Sequence, residues 1–553
     1  MPYTIGVDFG TESGRALLVD VADGREIATA VFPYPHGVID QHLPGSSKPL
    51  PPDWALQDPR DYLDVFRHTI PAVLQESGID PRDVIGLGVD FTSCTILPTK
   101  ADGTPLCVLP EYRDQPHAWV KLWKHHASQP QADQITETAR RMNQAWLNRY
   151  GGKISSEWLF SKALQILQEA PEIYAATERI IEAGDWVIWQ LTGIESRSAC
   201  MAGYKALVQD GHYPPREYFA ALDPRFADVV ETRMQTQFAK LGDSAGGLTA
   251  EWAALTGLRE GLPVAVAIID AHVANPAVKA TKPGQMVMIM GTSTCQIMSS
   301  GQLSEVDGMA GVVMGGIVPG LYGYEAGQAG VGDIFAWFVN HAVPPEVHAA
   351  AQAAGLNLHE YLEREAALQK PGEHGLIALD WWNGNRSTLV DANLSGLLVG
   401  LTLGTRAPDI YRALIEATAF GTRAIIEAFE ARGVAVTELI AAGGLPEKNA
   451  LLRQIYADVT GRTLRLAGSA QTPALGAAIF AALAAGAYPN MDAAAEAMGK
   501  LKDEVVTPIP ENQAVYDALY ADYKTLYDYF GRGANDVMKR LKAIRREARG
   551  GVE

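Results

Sequence analysis

Cysteine is scarce in this chain: Cys94, Cys107, Cys200 and Cys295 are the only four in 553 residues. No two form a Cys-x-x-Cys pair or stand at zinc-ligand spacing. That excludes a zinc ribbon, a dithiol redox motif and a disulfide-stapled scaffold, and predicts reduced thiols in a cytoplasmic protein. Positive charge is also short. Lys and Arg total 46 against 64 Asp and Glu, a formal charge of −18. Nucleic acid and anionic membrane surfaces are therefore not expected as partners, although a local basic pocket for a phosphate remains compatible. Long apolar runs are missing. The alanine-rich "ALGAAIFAALAAGA" is too short to span a bilayer and reads as a buried helix. The N-terminus lacks a basic segment followed by an apolar one, so no signal peptide is expected. There is also no Gly-x-x-x-x-Gly-Lys-Ser/Thr, so any nucleotide would be held by something other than a Walker loop.

What is present begins with "IGVDFGTESGRALLVD", residues 5 to 20. Ile5 to Asp8 and Ala16 to Asp20 read as buried strands. Between them Gly10, Thr11, Glu12, Ser13 and Gly14 are too small and polar for a core. They read as a hairpin whose N–H groups and hydroxyls face a ligand. Near the middle of the chain "GQMVMIMGTSTCQIM" repeats the pattern: apolar strand, Gly291-Thr292-Ser293-Thr294, apolar strand. A repeat at half the chain length predicts two domains of related architecture, 1–272 and 273–553. Two such hairpins suit a polyphosphate lying between domains: glycine admits close backbone approach, and hydroxyls and amides donate to oxygens. The plainer alternative is two ordinary turns.

Asp23-Gly24 predicts a further turn into a third strand, Glu26 to Phe32. Asp58 to Ser77 is helix-like, with Pro71 expected to kink or split it. "VIGLGVDF" reads as a buried strand. "LWKHHASQPQADQITETARRMN" and "SEWLFSKALQILQEAPEIYAAT" read as helices. Adjacent His125 and His126 would diverge on a helix, so joint metal binding is not expected. "LPVAVAIIDAHVAN" is a continuous apolar strand ending on Asp270, a residue that either aims a carboxylate into a cleft or caps the next helix. Asp8 ends the first strand in the same way, and could hold Mg²⁺ through water or simply cap the turn. The second half continues as alternating helix and strand, the pattern of a parallel sheet with crossover helices. Within it "AAGGLPEKNALLRQIYADVTG" puts Gly443-Gly444 between strand and helix, where a purine and ribose could lie against backbone or the chain could simply turn. From Asn512 the tail reads as one charged amphipathic helix or two.

Taken together, "DFGTESGR", "GTST", "AAGGLPEKNALLRQIYADVTGR" and "TPALGAAIFAALAAG" resemble the FGGY carbohydrate kinases over nearly the whole chain. "GVDFTSCTILP" and "LWKHHA" resemble the branch of that family acting on L-ribulose. The resemblance implies an α/β fold of two ribonuclease-H-like domains with a cleft between them. It implies ATP with Mg²⁺, a small ketopentose substrate phosphorylated at its 5-hydroxyl in arabinose breakdown, and domain closure. Gly10, Thr11, Ser13 and Arg15 match the first phosphate hairpin, and Gly291, Thr292 and Ser293 the second. Gly443, Gly444 and Asn449 match the adenosine pocket, and Asp270 the catalytic base. Ser93, Cys94, Lys205 and Glu325 fall where the sugar pocket is lined, with Trp123 joining them. Alternatives are a D-ribulose, xylulose or polyol kinase of the same family, or a nucleotide-dependent sugar sensor that transfers nothing. A homodimer is a general expectation for soluble enzymes.

Overall fold

The computed structural model describes residues 1–548, so the last five residues of the expected second domain lie outside it. Its frame is two mixed sheets of seven strands each. The first holds β1 (Tyr3–Phe9), β2 (Ser13–Asp20), β3 (Glu26–Pro33), β4 (Val84–Phe91), β5 (Ser244–Gly247), β6 (Pro263–Ala265) and β7 (Ile268–Ile269). They lie in the order β3-β2-β1-β4-β6-β5, with β7 also paired to β4. The second holds β8 (Gln285–Met290), β9 (Thr294–Ser300), β10 (Gly311–Met314), β11 (Tyr322–Gln328), β12 (Glu438–Ala442), β13 (Leu464–Ala467) and β14 (Leu501–Val506), ordered β10-β11-β9-β8-β12-β13-β14.

Each sheet opens with three antiparallel strands, continues with two parallel ones and ends on an antiparallel edge. This is one topology used twice, as the repeated hairpin predicts. β10 is an addition to the second copy. The parallel strands are buried on both faces, which is why they read as unbroken apolar runs.

Local readings need four corrections. The helix Pro59–Ser77 runs through Pro71 without a break. β2 begins at Ser13, so Ser13, Gly14 and Arg15 belong to the strand and the turn is shorter than read. "LPVAVAIID" is two short strands, β6 and β7, both paired to β4 and separated by Val266 and Ala267, which leave the ladder. "LWKHH" is not helical: Val120–Lys121 is a strand, the helix starts at Gln129, and His125 and His126 sit in the turn between. His125 is buried against Gln165 and the Ala55 amide, a structural role, while His126 faces solvent. Among the described residues no cluster of three His, Cys, Asp or Glu could hold a metal, and no helix is long and apolar enough to cross a membrane.

Two features position the site. A mostly helical insertion between β4 and β5, joined by the segment that follows β3, carries a small four-stranded sheet (Leu56–Gln57, Ile96–Thr99, Val120–Lys121, Arg179–Glu182) and its own apolar core. The helix Thr472–Ala484, from the second half of the chain, packs into the core of the first sheet. Glycine permits that contact: a Cβ on Gly6 would lie 1.9 Å from the Ala474 carbonyl oxygen, and one on Gly88 would lie 2.0 Å from that of Ala477.

Candidate active site

Strand register delivers three acids to one edge of the first sheet. β1 and β4 run parallel with Asp8 opposite Asp90, and β7 sets Ile268 opposite Asp90. The chain leaves β7 with the Asp270 amide donating to the Phe91 carbonyl at 3.0 Å. All three therefore lie at the carboxyl ends of parallel strands, where open α/β sheets take ligands. Burial, reinforced by the Asp8 charge, pushes Asp270 up to about 7. Its Oδ1 accepts from the Ala271 amide at 2.7 Å. Burial also raises Asp8, against the opposing charge of Arg15, whose Nε stands 3.2 Å away. Asp90 is fully buried with neither oxygen partnered, and burial beside Asp8 raises it far above the ordinary range. Its sequence signal was an acid closing an apolar strand, the same signal that marked Asp270.

Both glycine hairpins exist, and they differ by one residue. Phe9 pairs with Gly14, leaving four residues in the first loop; Met290 pairs with Thr294, leaving three in the second. In each the glycine amide turns inward, Gly10 to the Ser13 carbonyl at 3.0 Å and Gly291 to that of Ser293 at 2.9 Å. Thr11 is fixed from outside. Gln57 donates to its carbonyl at 2.7 Å, and the Trp123 indole N–H donates to its hydroxyl oxygen at 3.0 Å. A hydroxyl that accepts from an indole has its own proton left to give, which is what a phosphate oxygen needs. Trp123, expected in the sugar pocket, is here seen to orient the first glycine hairpin. Gly291 and Thr292 are exposed, and their carbonyls take amides from Gly332 and Val331 at the start of the helix Gly332–His341.

The expected sugar residues gather around Glu325. Lys205 Nζ lies 3.1 and 3.0 Å from its two oxygens, and His272 Nε2 lies 3.1 Å from Oε2. Arg386 stands 3.6 Å from Oε1. Burial works against the Glu325 charge, yet Lys205 and then His272 hold it well below the usual carboxylate range. Burial lowers His272 against the opposing pull of Glu325, and the ring is held on both sides, Nδ1 3.4 Å from Cys200 Sγ and Nε2 3.1 Å from Glu325. Cys94 adopts φ +63° with its thiol buried and pushed up to about 12 by that burial, so it offers a ligand backbone more than sulfur. Its carbonyl accepts from Lys162 Nζ at 2.6 Å, and the same ammonium holds the Leu122 carbonyl at 2.7 Å. Lys162 therefore ties the Ser93–Cys94 loop to the Trp123 loop. Asp8 and Glu325 both act electrostatically on Asp270, and Asp270 and Glu325 both act on Cys295, two residues past the second hairpin. Asp270 thus stands among the first hairpin's acid, the second hairpin's strand and the Glu325 group.

On the expected adenosine side, Gly443 has φ +102°, and a Cβ there would lie 2.3 Å from the Met290 carbonyl, the residue before the second hairpin. Gly444 faces open space beside a cavity of about 130 Å³ whose lining includes Glu447, Ser469 and Lys502. The Asn449 side-chain oxygen is taken by helix capping, accepting from the Leu452 amide at 2.7 Å. Only its NH₂ remains for a ligand.

Asp90, Lys162, His272 and Arg386 were missed in the sequence. His272 stands two residues past Asp270 in the stretch already singled out, whereas Lys162 and Arg386 stand in stretches that show no motif.

Residues 3–276 match the N-terminal domain of the FGGY family of carbohydrate kinases, and residues 286–485 match its C-terminal domain. This chain belongs to the FGGY family of carbohydrate kinases. Among similar FGGY proteins, the ribulokinase of Halalkalibacterium halodurans is 56% identical over 98% of this chain and 97% of its own length. That of Mycolicibacterium smegmatis is 57% identical over 99% and 97%. Of solved structures, xylulose kinase from Rhodospirillum rubrum superposes with TM-score 0.78 at 24% identity, covering 95% of this chain and 98% of that one. Glycerol kinase from Plasmodium falciparum with ADP gives 0.74 at 15% over 95% and 98%. At those identities the structures attest the shared FGGY fold.

Proposed function

We propose that this FGGY kinase transfers the γ-phosphoryl group of ATP to the 5-hydroxyl of L-ribulose. Full-length similarity to ribulokinases at 53 to 57% identity supports the substrate. The observation that carries the chemistry is Asp270, a carboxyl ionising near neutrality beside both hairpins and the Glu325 group. The sugar's 5-oxygen bonds to the γ-phosphorus as the bond from phosphorus to the β,γ-bridging oxygen breaks, its electron pair leaving with ADP. The hydroxyl proton passes to Asp270. Phosphoryl transfer asks mainly for positioning and charge stabilisation, and a base tuned near the working pH can orient the hydroxyl and then keep its proton. Lys205, Glu325 and His272 form a fixed set of donors and acceptors for sugar hydroxyls, and the hairpin amides and hydroxyls grip the phosphates.

A divalent cation fits this site as a guest of the nucleotide. Asp8 offers one carboxylate beside the first hairpin, and the absence of a three-ligand cluster among the described residues argues against a resident all-protein cage. Mg²⁺ prefers that arrangement, keeping water and phosphate oxygens as ligands. When bound it neutralises phosphate charge. The amides and Arg15 then orient the chain of phosphates.

The test is ADP release measured against L-ribulose, D-ribulose, xylulose, glycerol and no sugar. Turnover highest with L-ribulose is expected. Turnover confined to xylulose or glycerol would move the substrate within the family, and nucleotide binding without sugar-dependent ADP would make the protein a sensor.

A further inference from the structure

We propose that Arg386 is a catalytic residue of this site, contacting the phosphoryl group in flight and the phosphate monoester product. The inference rests on the kinase reading above and adds a contact that the motifs did not suggest.

Arg386 lies in the loop between Leu379 and Leu397, and that loop is held at several points. The Gly327 amide donates to Ser387 Oγ at 3.2 Å. Asn385 and Asp391 exchange backbone hydrogen bonds at 3.0 and 2.8 Å, and Thr388 Oγ1 meets the Tyr527 hydroxyl at 2.8 Å. The guanidinium is thus presented by a fixed platform. Glycine at 327 makes room for it: a Cβ there would meet Arg386 Cδ at 3.1 Å, Nε at 3.3 Å and the Thr294 carbonyl at 3.2 Å. The arginine stem therefore lies over Gly327 of β11, opposite Cys295 on the strand that leaves the second hairpin, and reaches toward the Glu325 carboxylate. On the proposed path, the phosphorus travels over that span.

Its bonding points the same way. Arginine carries five N–H donors, yet among the described residues this guanidinium makes no hydrogen bond, its one ion pair there being the loose 3.6 Å approach to Glu325, and its side chain is 35% exposed. Glu325 does not need it, since Lys205 and His272 already satisfy both carboxylate oxygens. Glu157 faces Arg386 electrostatically but forms no salt bridge with it. Lys205 and Arg386 thus set two positive charges against the one carboxylate that both approach, Glu325. A planar fork whose N–H groups are free to donate suits a phosphoryl group, whose charge spreads over equatorial oxygens as it transfers. Arg15 is less free for that role, being held against Asp8.

The test compares Arg386→Met and Arg386→Lys with the wild-type chain, reading kcat, KM for L-ribulose, MgATP affinity and inhibition by L-ribulose 5-phosphate. Thermal melts check folding. In Arg386→Met, kcat is expected to fall about 100- to 1,000-fold, with ribulose KM and MgATP affinity within about threefold and product inhibition weakened about tenfold. Arg386→Lys should recover part of kcat, and added guanidinium ion should rescue Arg386→Met. A folded Arg386→Met with kcat within threefold of wild type overturns the inference. So does a raised ribulose KM at unchanged kcat, which would mark a ground-state sugar contact. A wild-type chain active on another sugar relocates the substrate, and the same comparison is then run with that sugar. A wild-type chain inactive on every sugar overturns the kinase reading and this inference with it.

Discussion

Replacing Asp270 by Asn should remove activity and stabilise the fold in one step, by amounts that depend on pH. The folded protein holds this carboxyl at about 7, against an ordinary value of 3.8. A group raised by folding contributes stability at low pH and loses it as pH climbs through the folded value. Between about pH 5 and about pH 8.5 the unfolded chain is ionised throughout, while the folded chain passes from protonated to ionised. Two pH units at about 1.4 kcal/mol each give a ceiling of about 3 kcal/mol. Asp270 is partly open to the cleft, so water screens part of that, leaving about 2 kcal/mol. Asparagine keeps the oxygen that accepts from Ala271 but cannot ionise, so the variant lacks this slope. Urea unfolding of both proteins across the pH range isolates it, because Asp185 at about 7 and Glu182 at about 8 titrate in both and cancel. The variant should gain about 2 kcal/mol on wild type from the acid end to the alkaline end while kcat drops about 100- to 10,000-fold. Parallel stability curves would refute the perturbed carboxyl, and retained turnover would refute its role as base. Wild-type kcat/KM should rise with pH through about 7, since the base must be ionised to accept a proton.

Further outcomes follow from the packing and the charges. Lys205→Met leaves Glu325 short of its main partner and should cost about 3 to 5 kcal/mol in a thermal or urea melt. Adding Glu325→Gln should return much of that stability without returning activity. Lys162→Met strands the Cys94 and Leu122 carbonyls, about 1 to 3 kcal/mol each at most. Steady-state kinetics should show ribulose KM raised more than MgATP affinity is weakened, because Lys162 holds the Ser93–Cys94 and Trp123 loops directly and reaches the first hairpin only through the Trp123 contact to Thr11. Gly6→Ala sets a methyl 1.9 Å from the Ala474 carbonyl oxygen. It should destabilise the chain by about 3 kcal/mol or more, with calorimetry as the measure, since the helix cannot retreat without opening the first core.

How much of this was legible depends on whether the signal was local. The twin hairpins, the strand-closing Asp8 and Asp270 and the glycine pair are each written in consecutive residues, so alternation and turn chemistry expose them. The shared sheet topology follows because the same short code appears twice. Arg386, His272 and Lys162 could not be found that way. Each acts on a residue between 40 and 68 positions distant in sequence, and no local pattern marks that pairing. "LWKHH" misled because its apolar spacing also fits a turn whose side chains are buried by an inserted lobe. Pro71 misled because a proline late in a well-packed helix loses only one amide bond, and tertiary contacts outweigh it.

The position of Glu325 constrains how such a molecule can close on its substrates. Glu325 belongs to β11 of the second sheet, whereas Lys205 and His272 belong to the first half of the chain, and all three are buried. The helix Thr472–Ala484 crosses the same way, leaving the second half to sit against β1 and β4. A motion that pulled these groups apart would leave charges buried and unpaired, at several kcal/mol each. Any closing motion of the two halves must therefore pivot about this floor and spend its displacement higher up, toward the exposed Gly291, Thr292, Gly443 and Gly444. The buried group around Glu325 stays fixed under such a motion, and the exposed glycine turns are the part left to travel.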